Sequence, residues 1–171
     1  MIIVFKLLMI SLVALLAPEF VVDCQTRMQR SEQECGENKT FDPSKVDESI
    51  TKEFLKAWNR AHNGIGNTEA GISIFQNVEG SYWAIAMPYT NESGQITFIV
   101  DPAPIAIVHT HQNGLDPKPS AADIRVADKY CVPIFTITSW GMYMYDPKTK
   151  KITLIQHNLD WLRASKFKRN P

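Results

Sequence analysis

Two continuous apolar runs, separated by a segment with helical character, limit the folds open to this chain. APIAIVHTH (103–111) and PIFTIT (133–138) are typical of strands that are buried on both faces of a sheet. Residues 120–130, which lie between them, are predicted to form a helix. A strand, a helix and a second strand at this spacing indicate a βαβ crossover. We therefore expect an α/β fold with a mixed β-sheet and flanking helices.

A longer helix is predicted upstream of this unit. Asp42 followed by Pro43 is typical of a helix start, because aspartate caps free backbone N–H groups and proline is tolerated in the first turn. Apolar residues then recur three or four positions apart, which predicts an amphipathic helix over 43–62. They are Val46, Ile50, Phe54, Ala57, Trp58 and Ala61. Gly64 can adopt the left-handed conformation that ends a helix.

Short runs of β-type residues account for most of the remaining domain. Three of them, separated by turn residues, predict a meander: GISIF (71–75), SYWAIAM (81–87) and QITFIV (95–100). GMYMYDPKTKKITLI (141–155) predicts a hairpin around its Asp-Pro turn. A short helix is expected at 158–166, within a C-terminal segment, 158–171, that ends in a basic tail.

The first 24 residues predict an export signal. MIIVFKLLMISLVALLA contains one basic residue, Lys6, in an otherwise apolar run, as secretory signal peptides do. A retained membrane anchor is the alternative, although about 20 apolar residues are needed to span a bilayer. Residues 25–41 are polar and show no periodicity, which indicates a linker before the domain at 42–157. The expected location is the periplasm or the exterior, or a membrane surface if the leader is retained.

Charge and cysteine content narrow the function further. The chain has 18 basic and 18 acidic residues, so no overall positive field favours binding to nucleic acid. Cys24 would leave with a leader cleaved after it. Cys35 and Cys131 could then pair in an oxidising compartment. Cys131 adjoins an apolar run and could equally be a buried thiol.

His109 and His111 are two of only four histidines in the chain. They alternate on a predicted strand, so both side chains leave the same face. They lie at its carboxyl end, where α/β sheets usually bind ligands. Ser120 and Asp123 form a capping-box pattern at the start of the next helix, which the crossover returns to the strand end. Asp123 could therefore complete a His-His-Asp set for zinc, with a fourth position for water.

A hydrolytic zinc site also needs a base, and Glu69, at the entry to the first predicted strand, is the candidate. An exposed strand-end carboxylate is the alternative interpretation. In this order, Glu69, His109-x-His111 and Ser120-x-x-Asp123 resemble the JAMM motif of the JAB/MPN zinc metalloprotease and isopeptidase superfamily. Over about residues 45–157 the chain is similar to bacterial JAB-like domains associated with Rhs-type secreted proteins.

The resemblance implies a single JAB/MPN-like domain with the layered sheet that is also found in cytidine deaminases. It implies that His109, His111 and Asp123 hold Zn²⁺. In the same scheme Glu69 accepts the proton of the activated water, and Ser120 donates a hydrogen bond to the oxyanion. The implied activity is hydrolysis of a peptide or isopeptide bond. The substrate would be a peptide or protein, and export makes a cell-wall peptide one option.

The chain departs from the family pattern in the loop after the histidines. Gln112 stands where the family usually has proline, and eight residues (112–119) precede Ser120 where seven are usual. The alternative function is a catalytically impaired JAB-like binding module that acts with a secretion or toxin-system partner. A zinc deaminase is disfavoured because Cys131 has no Cys-x-x-Cys neighbour. A serine hydrolase is disfavoured because the chain has no Gly-x-Ser-x-Gly motif.

Overall fold

The computed structural model of this chain describes residues 35, 41–43, 46–88, 94, 96–98 and 103–162, all within the unit Cys35–Pro171. The expected signal peptide, most of the expected linker and the basic tail lie outside these residues. Among the described helices, none has the length and apolarity that a membrane span requires.

A six-stranded mixed sheet forms the centre of the fold, in the order β2-β1-β3-β4-β5-β6. Its strands are β1 (Gly71–Gln76), β2 (Tyr82–Ala86), β3 (Ala106–Thr110), β4 (Ile134–Thr138), β5 (Gly141–Asp146) and β6 (Lys151–His157). β3 and β4 pair in parallel and the other neighbours pair antiparallel. The helices are α1 (Glu48–Arg60) and α2 (Ala121–Tyr130), and α2 connects β3 to β4. The predicted α/β class, mixed sheet and βαβ crossover are confirmed.

The two helices cover opposite faces of the sheet. The buried side of α1 shares a core with Ile72 and Ile74 of β1, and α2 shares a second core with Ile107 and Ile134. Neighbouring residues of a strand point to opposite faces, whereas residues two apart share one. His109 therefore leaves β3 on the same side as Ile107, toward α2.

Helix α1 begins at Glu48 rather than at residue 43, and its N-cap is Asp47, not Asp42. The Asp47 carboxylate accepts hydrogen bonds from the Ser49 hydroxyl at 2.6 Å and from the Ile50 backbone N–H at 3.1 Å. These hydrogen bonds, that of Ser49 foremost, lower the pKa of Asp47. Asp42 and Asp47 both carry a carboxylate that can cap a helix. Asp47 is the cap because Ser49 and Ile50 donate hydrogen bonds to it. Five of the six residues of the predicted apolar face are buried, namely Ile50, Phe54, Ala57, Trp58 and Ala61. The sixth, Val46, precedes the helix and is partly buried.

Two other elements differ from the prediction. Residues 96–98 of the expected third meander strand lie outside any strand, and the rest of that run is outside the described residues. A third meander strand would pair with the outer edge of β2, which has no partner in the described sheet. Ile96 and Phe98 pack instead on the core beneath α2. At the expected C-terminal helix, Asp160–Leu162 forms a 3₁₀ turn, and the rest of that helix beyond residue 162 lies outside the described residues.

A disulfide joins Cys35 to Cys131, with 5.3 Å between their Cα atoms. Of the two interpretations of Cys131, pairing is therefore confirmed and the free buried thiol is wrong. Cys131 directly follows α2 in a left-handed conformation, with φ of 53°. The bond ties the end of the crossover helix to the segment that precedes α1.

Candidate metal centre

Strand β3 delivers both histidines to one point at the centre of the sheet. His109 lies on the strand and His111 directly follows its last residue, and their exposed fractions are 0% and 8%. The backbone N–H of His111 donates to the carbonyl of Ile137 at 3.0 Å, which fixes the chain beyond the strand end. The two Nε2 atoms are 3.1 Å apart. Two imidazole lone pairs that face each other at this distance repel, so a proton or a cation is needed between them.

The first turn of α2 brings Asp123 to the same point. The Ser120 Oγ accepts the Asp123 backbone N–H at 3.2 Å, and the Ser120 backbone N–H donates to Asp123 Oδ2 at 2.6 Å. This capping box fixes a carboxylate that is only 5% exposed. Asp123 Oδ1 is 3.4 Å from His109 Nε2, and Oδ2 is 3.5 Å from His111 Nε2. The structure thus brings together the three residues that the sequence placed in one set.

Glu69 approaches the group from the entry to β1, and Thr110 holds it there. Thr110 is buried; its Oγ1 accepts the Ala70 N–H at 3.0 Å, and its own N–H donates to the Ala70 carbonyl at 2.9 Å. Glu69, His109 and His111 each offer a ligand atom, and these atoms lie within 4.8 Å of one another. This partly buried group is therefore close enough to hold a metal ion.

Two carboxylates, those of Asp123 and Glu69, lie near the histidines. Ligand atoms at 2.0–2.1 Å from a tetrahedral zinc lie roughly 3.3 Å apart. The distance between the two histidine Nε2 atoms, 3.1 Å, and their distances to the Asp123 oxygens, 3.4 and 3.5 Å, fit that spacing. Glu69 is half-buried and belongs to the group whose ligand atoms lie within 4.8 Å of one another. Asp123 and Glu69 therefore both lie within reach of the two histidines.

Hydrogen bonding sets the proton position on one histidine. The Nδ1 of His111 lies 3.1 Å from the backbone carbonyl of Asp116, and a carbonyl only accepts, so the proton is on Nδ1. In the neutral ring this leaves Nε2 free to bind a metal. The Nδ1 of His109 is buried and has no hydrogen-bond partner in the described part of the chain. The Phe98 ring packs edge-on against His109, with 5.6 Å between centroids.

The charges at this point favour a cation. Burial disfavours the charged form of His111, but the hydrogen bond with Asp123, the Asp116 carbonyl and the nearby carboxylate charges outweigh it and raise its pKa. Burial would raise the pKa of Asp123. The charge of His109, together with hydrogen bonds from the two histidines and Ser120, instead holds that pKa far below its usual range. Asp123 is therefore an ionised carboxylate that is ready to bind a positive group.

A cleft of about 510 Å³ opens onto these side chains. Glu69, His111, Ser120 and Asp123 line it, so the predicted base, two of the three predicted ligands and the serine face one space. The described apolar residues that line it are Ile96, Phe98, Leu115, Pro119, Ala121 and Ala122. A substrate with apolar groups could therefore pack beside the polar centre.

The loop 112–119 is tied to the rest of the domain by Asn113. Its backbone N–H donates to the Gly64 carbonyl at 2.7 Å, its side-chain amide donates to the Asn63 carbonyl at 2.9 Å, and its Oδ1 accepts the Ser139 N–H at 3.3 Å. Two further anchors are the Asp116 carbonyl, which accepts from His111, and the Pro117 carbonyl, which accepts the Thr136 hydroxyl at 2.6 Å. None of these contacts was predicted. The Asn113-Gly114 pair signals a turn in the sequence but does not identify its partners.

Fold and site together define a mixed α/β domain with a partly buried carboxylate–histidine group that can hold a metal ion. Comparisons with protein-family models and with curated proteins find no match for this chain. Its function therefore has to be argued from the geometry of the site.

Proposed function

We propose that this chain is an exported zinc metallopeptidase of the JAB/MPN type that hydrolyses a peptide or isopeptide amide bond. The observation that supports this most is the convergence of His109, His111 and Asp123 within 3.5 Å of one another. Glu69 stands beside them, and an open cleft gives a substrate access. The order and type of these residues also match the JAMM motif that they resemble.

His109, His111 and Asp123 would hold the zinc ion in this proposal. Two imidazoles and one carboxylate form a donor set that zinc commonly accepts in hydrolases, and this set leaves one coordination position open. When bound, zinc would supply Lewis acidity and lower the pKa of a water molecule at that position. The buried and ionised Asp123 supplies negative charge to offset that of the cation.

Glu69 would transfer protons, and Ser120 would stabilise the negative charge of the transition state. Glu69 lines the cleft and is half-buried, so it can accept a proton from the attacking water and pass it to the leaving amine. The Ser120 Oγ accepts the Asp123 N–H, which leaves its own hydroxyl proton free to donate. That proton can stabilise the negative charge that develops on the carbonyl oxygen, an effect worth roughly 3 kcal/mol in comparable sites.

Zinc content and hydrolysis of a pool of fluorescence-quenched peptides test this proposal. Purified mature protein should bind about one zinc per chain. Glu69→Gln should keep that zinc but lose at least about 100-fold in turnover, because the proton acceptor is removed. His109→Ala should lose both metal and activity. Glu79→Gln, in an exposed turn, is the matched control and should behave as wild type. Wild-type protein without zinc, or an active His109→Ala variant, would contradict the proposal.

The disulfide supports the export part of the proposal. Disulfides persist in oxidising compartments and are rare in reducing ones. A bond between Cys35 and Cys131 is therefore in keeping with the apolar leader that the sequence predicts at residues 1–24. Both point to a protein that works outside the cytoplasm.

A binding module is the second candidate, and surface exposure favours it. Trp140 is 68% exposed and Leu115 58%, and both lie within two residues of the Asn113–Ser139 hydrogen bond. Exposed large apolar side chains near one another are common at protein interaction sites. In this case Glu69→Gln would have no phenotype, while Trp140→Ala would abolish association with a partner in the secretion or toxin system. Pull-down with both variants separates the two functions.

A further inference from the structure

We infer that Lys118 recognises a carboxylate on the substrate, so that the hydrolase acts on amides beside a negatively charged group. This inference rests on the proposed function and adds a substrate class to it. Lys118 lines the same cleft as Glu69, His111, Ser120 and Asp123. Among the described residues that line the cleft, it is the only lysine or arginine.

The backbone at Lys118 is held in place. It lies between Pro117 and Pro119, whose rings fix their own φ, and a residue that precedes proline is largely limited to extended conformations. The backbone N–H of Lys118 donates to Asp116 Oδ1 at 3.1 Å. The Pro117 carbonyl accepts the hydroxyl of Thr136 on β4 at 2.6 Å. The side chain therefore starts from a fixed point beside the cleft.

The ammonium group of Lys118 has no ion-pair partner among the described residues. By contrast, Lys52, Lys56 and Lys150 each contact a carboxylate at 2.6 to 2.8 Å. Lys118 is exposed, and the nearest carboxylate in sequence, Asp116, already accepts the Lys118 backbone N–H. A free cation in a cleft of this kind is available to an anionic group of the substrate.

The surroundings of Lys118 restrict the substrate further. Leu115, Ile96 and Phe98 line the same cleft, so an apolar side chain next to the carboxylate would find a partner there. A carboxylate is also the anion to which a lysine ammonium donates charge-assisted hydrogen bonds. A C-terminal α-carboxylate and an acidic side chain offer the same chemistry, and the experiment below distinguishes them.

Matched peptides test the inference with the zinc-loaded mature protein. One series ends in a free carboxylate after an apolar residue, a second carries a C-terminal amide, and a third has the amide plus a glutamate beside the scissile bond. Wild type should prefer one of the carboxylate series by about fivefold in kcat/KM, the scale of an exposed ion pair. Lys118→Gln should lose that preference through KM, with kcat unchanged. Lys118→Arg should restore it, and Lys151→Gln, on the exposed edge of β6, should behave as wild type.

The outcomes separate the two proposals. If wild type and Lys118→Gln cleave all three series with the same ratios, the role of Lys118 is overturned while the hydrolase stands. If wild type binds no zinc and cleaves nothing, the hydrolase fails. Binding of N-acetyl-leucine and N-acetyl-leucinamide, followed by NMR, then decides the question for Lys118. Equal binding of both compounds by wild type would overturn it, whereas a preference for the acid that Lys118→Gln loses would support it.

Discussion

Thr110 stands between the two histidines in the sequence, and its side chain binds the segment that carries Glu69. Its Oγ1 takes the Ala70 N–H that would otherwise have no strand partner, and its backbone N–H returns a bond to the Ala70 carbonyl. The residue next to Glu69 is thereby paired with the last residue of β3, between the two histidines. Together with the β1–β3 pairing of Gly71 and His109, Thr110 thus places the candidate base beside the candidate ligands.

Thr110→Val should destabilise the domain by about 1–3 kcal/mol, because it leaves the Ala70 N–H buried without an acceptor. It should also lower turnover, because the base loses its fixed position. Thr110→Ser keeps the hydroxyl and is the matched control. Urea unfolding and peptide hydrolysis measure the two effects. Equal stability of the valine and serine variants would show that this hydrogen bond does not contribute to the free energy of unfolding.

The chemistry-bearing residues could be predicted from the sequence because their positions follow from periodicity. Alternation on a strand puts His109 and His111 on one face, and a capping box aims Asp123 back at the helix start. The residues that hold them could not be predicted. The Asn113 side chain and the Asp116 carbonyl bind backbone or ring groups of residues distant in sequence or across the loop, and which ones they meet depends on the path of the loop.

At the level of elements, helix α2 is linked to β5 by a buried tyrosine. The Tyr145 hydroxyl donates to Asp128 Oδ1 at 2.8 Å, and the Lys150 ammonium contacts the same oxygen at 2.8 Å. Burial, the Asp128 hydrogen bond and the charges of Asp128 and Asp146 raise the pKa of Tyr145 to about 12. The folded domain therefore favours the neutral phenol.

This shift predicts a loss of stability at alkaline pH. A raised pKa stabilises the fold fully below the unfolded value of about 10, and that contribution is lost as pH rises toward about 12. Tyr145→Phe should be less stable at neutral pH by about 1 kcal/mol and should lack this part of the alkaline decline. Tyr143→Phe, on the same strand, is the control. Thermal unfolding from pH 8 to 11.5 measures this decline. If the stability of wild type and of Tyr145→Phe falls equally with pH, the role of Tyr145 is refuted.

Elements with strong local signals were predicted well. Elements for which two positions or two environments were equally compatible with the sequence were not. The crossover β3–α2–β4 and the β5–β6 hairpin follow from long apolar runs and turn residues. The start of α1 was predicted too early because Asp42 and Asp47 carry the same capping signal. The run 95–100 has strand composition, but its described residues, 96–98, lie outside any strand, and Ile96 and Phe98 pack on the core beneath α2. Such outcomes depend on neighbours that are distant in sequence.

At the level of the whole molecule, one covalent bond restrains the described unit. The Cys35–Cys131 disulfide spans a separation of 96 residues, which encloses α1, β1, β2, β3 and α2. A cross-link that closes a loop of this size lowers the entropy of the unfolded chain. It thereby stabilises the fold without taking part in the site.

Reduction of the disulfide should therefore lower the free energy of unfolding by about 3 kcal/mol. Urea unfolding with and without reductant measures the effect. The Cys35→Ser/Cys131→Ser double variant should match reduced wild type and should not respond to reductant. A reductant-sensitive double variant would show that the change has another cause.

The position of β3 between two paired strands affects how long a bound metal would remain in the site. His109 lies on a strand with hydrogen-bonded neighbours on both sides, and such central strands open only when the whole domain unfolds. Asp123 lies in the first turn of a helix, and helix ends open far more often by local fraying. We therefore expect metal to leave through opening of the α2 start, with a rate that follows local hydrogen exchange of Asp123 rather than global unfolding.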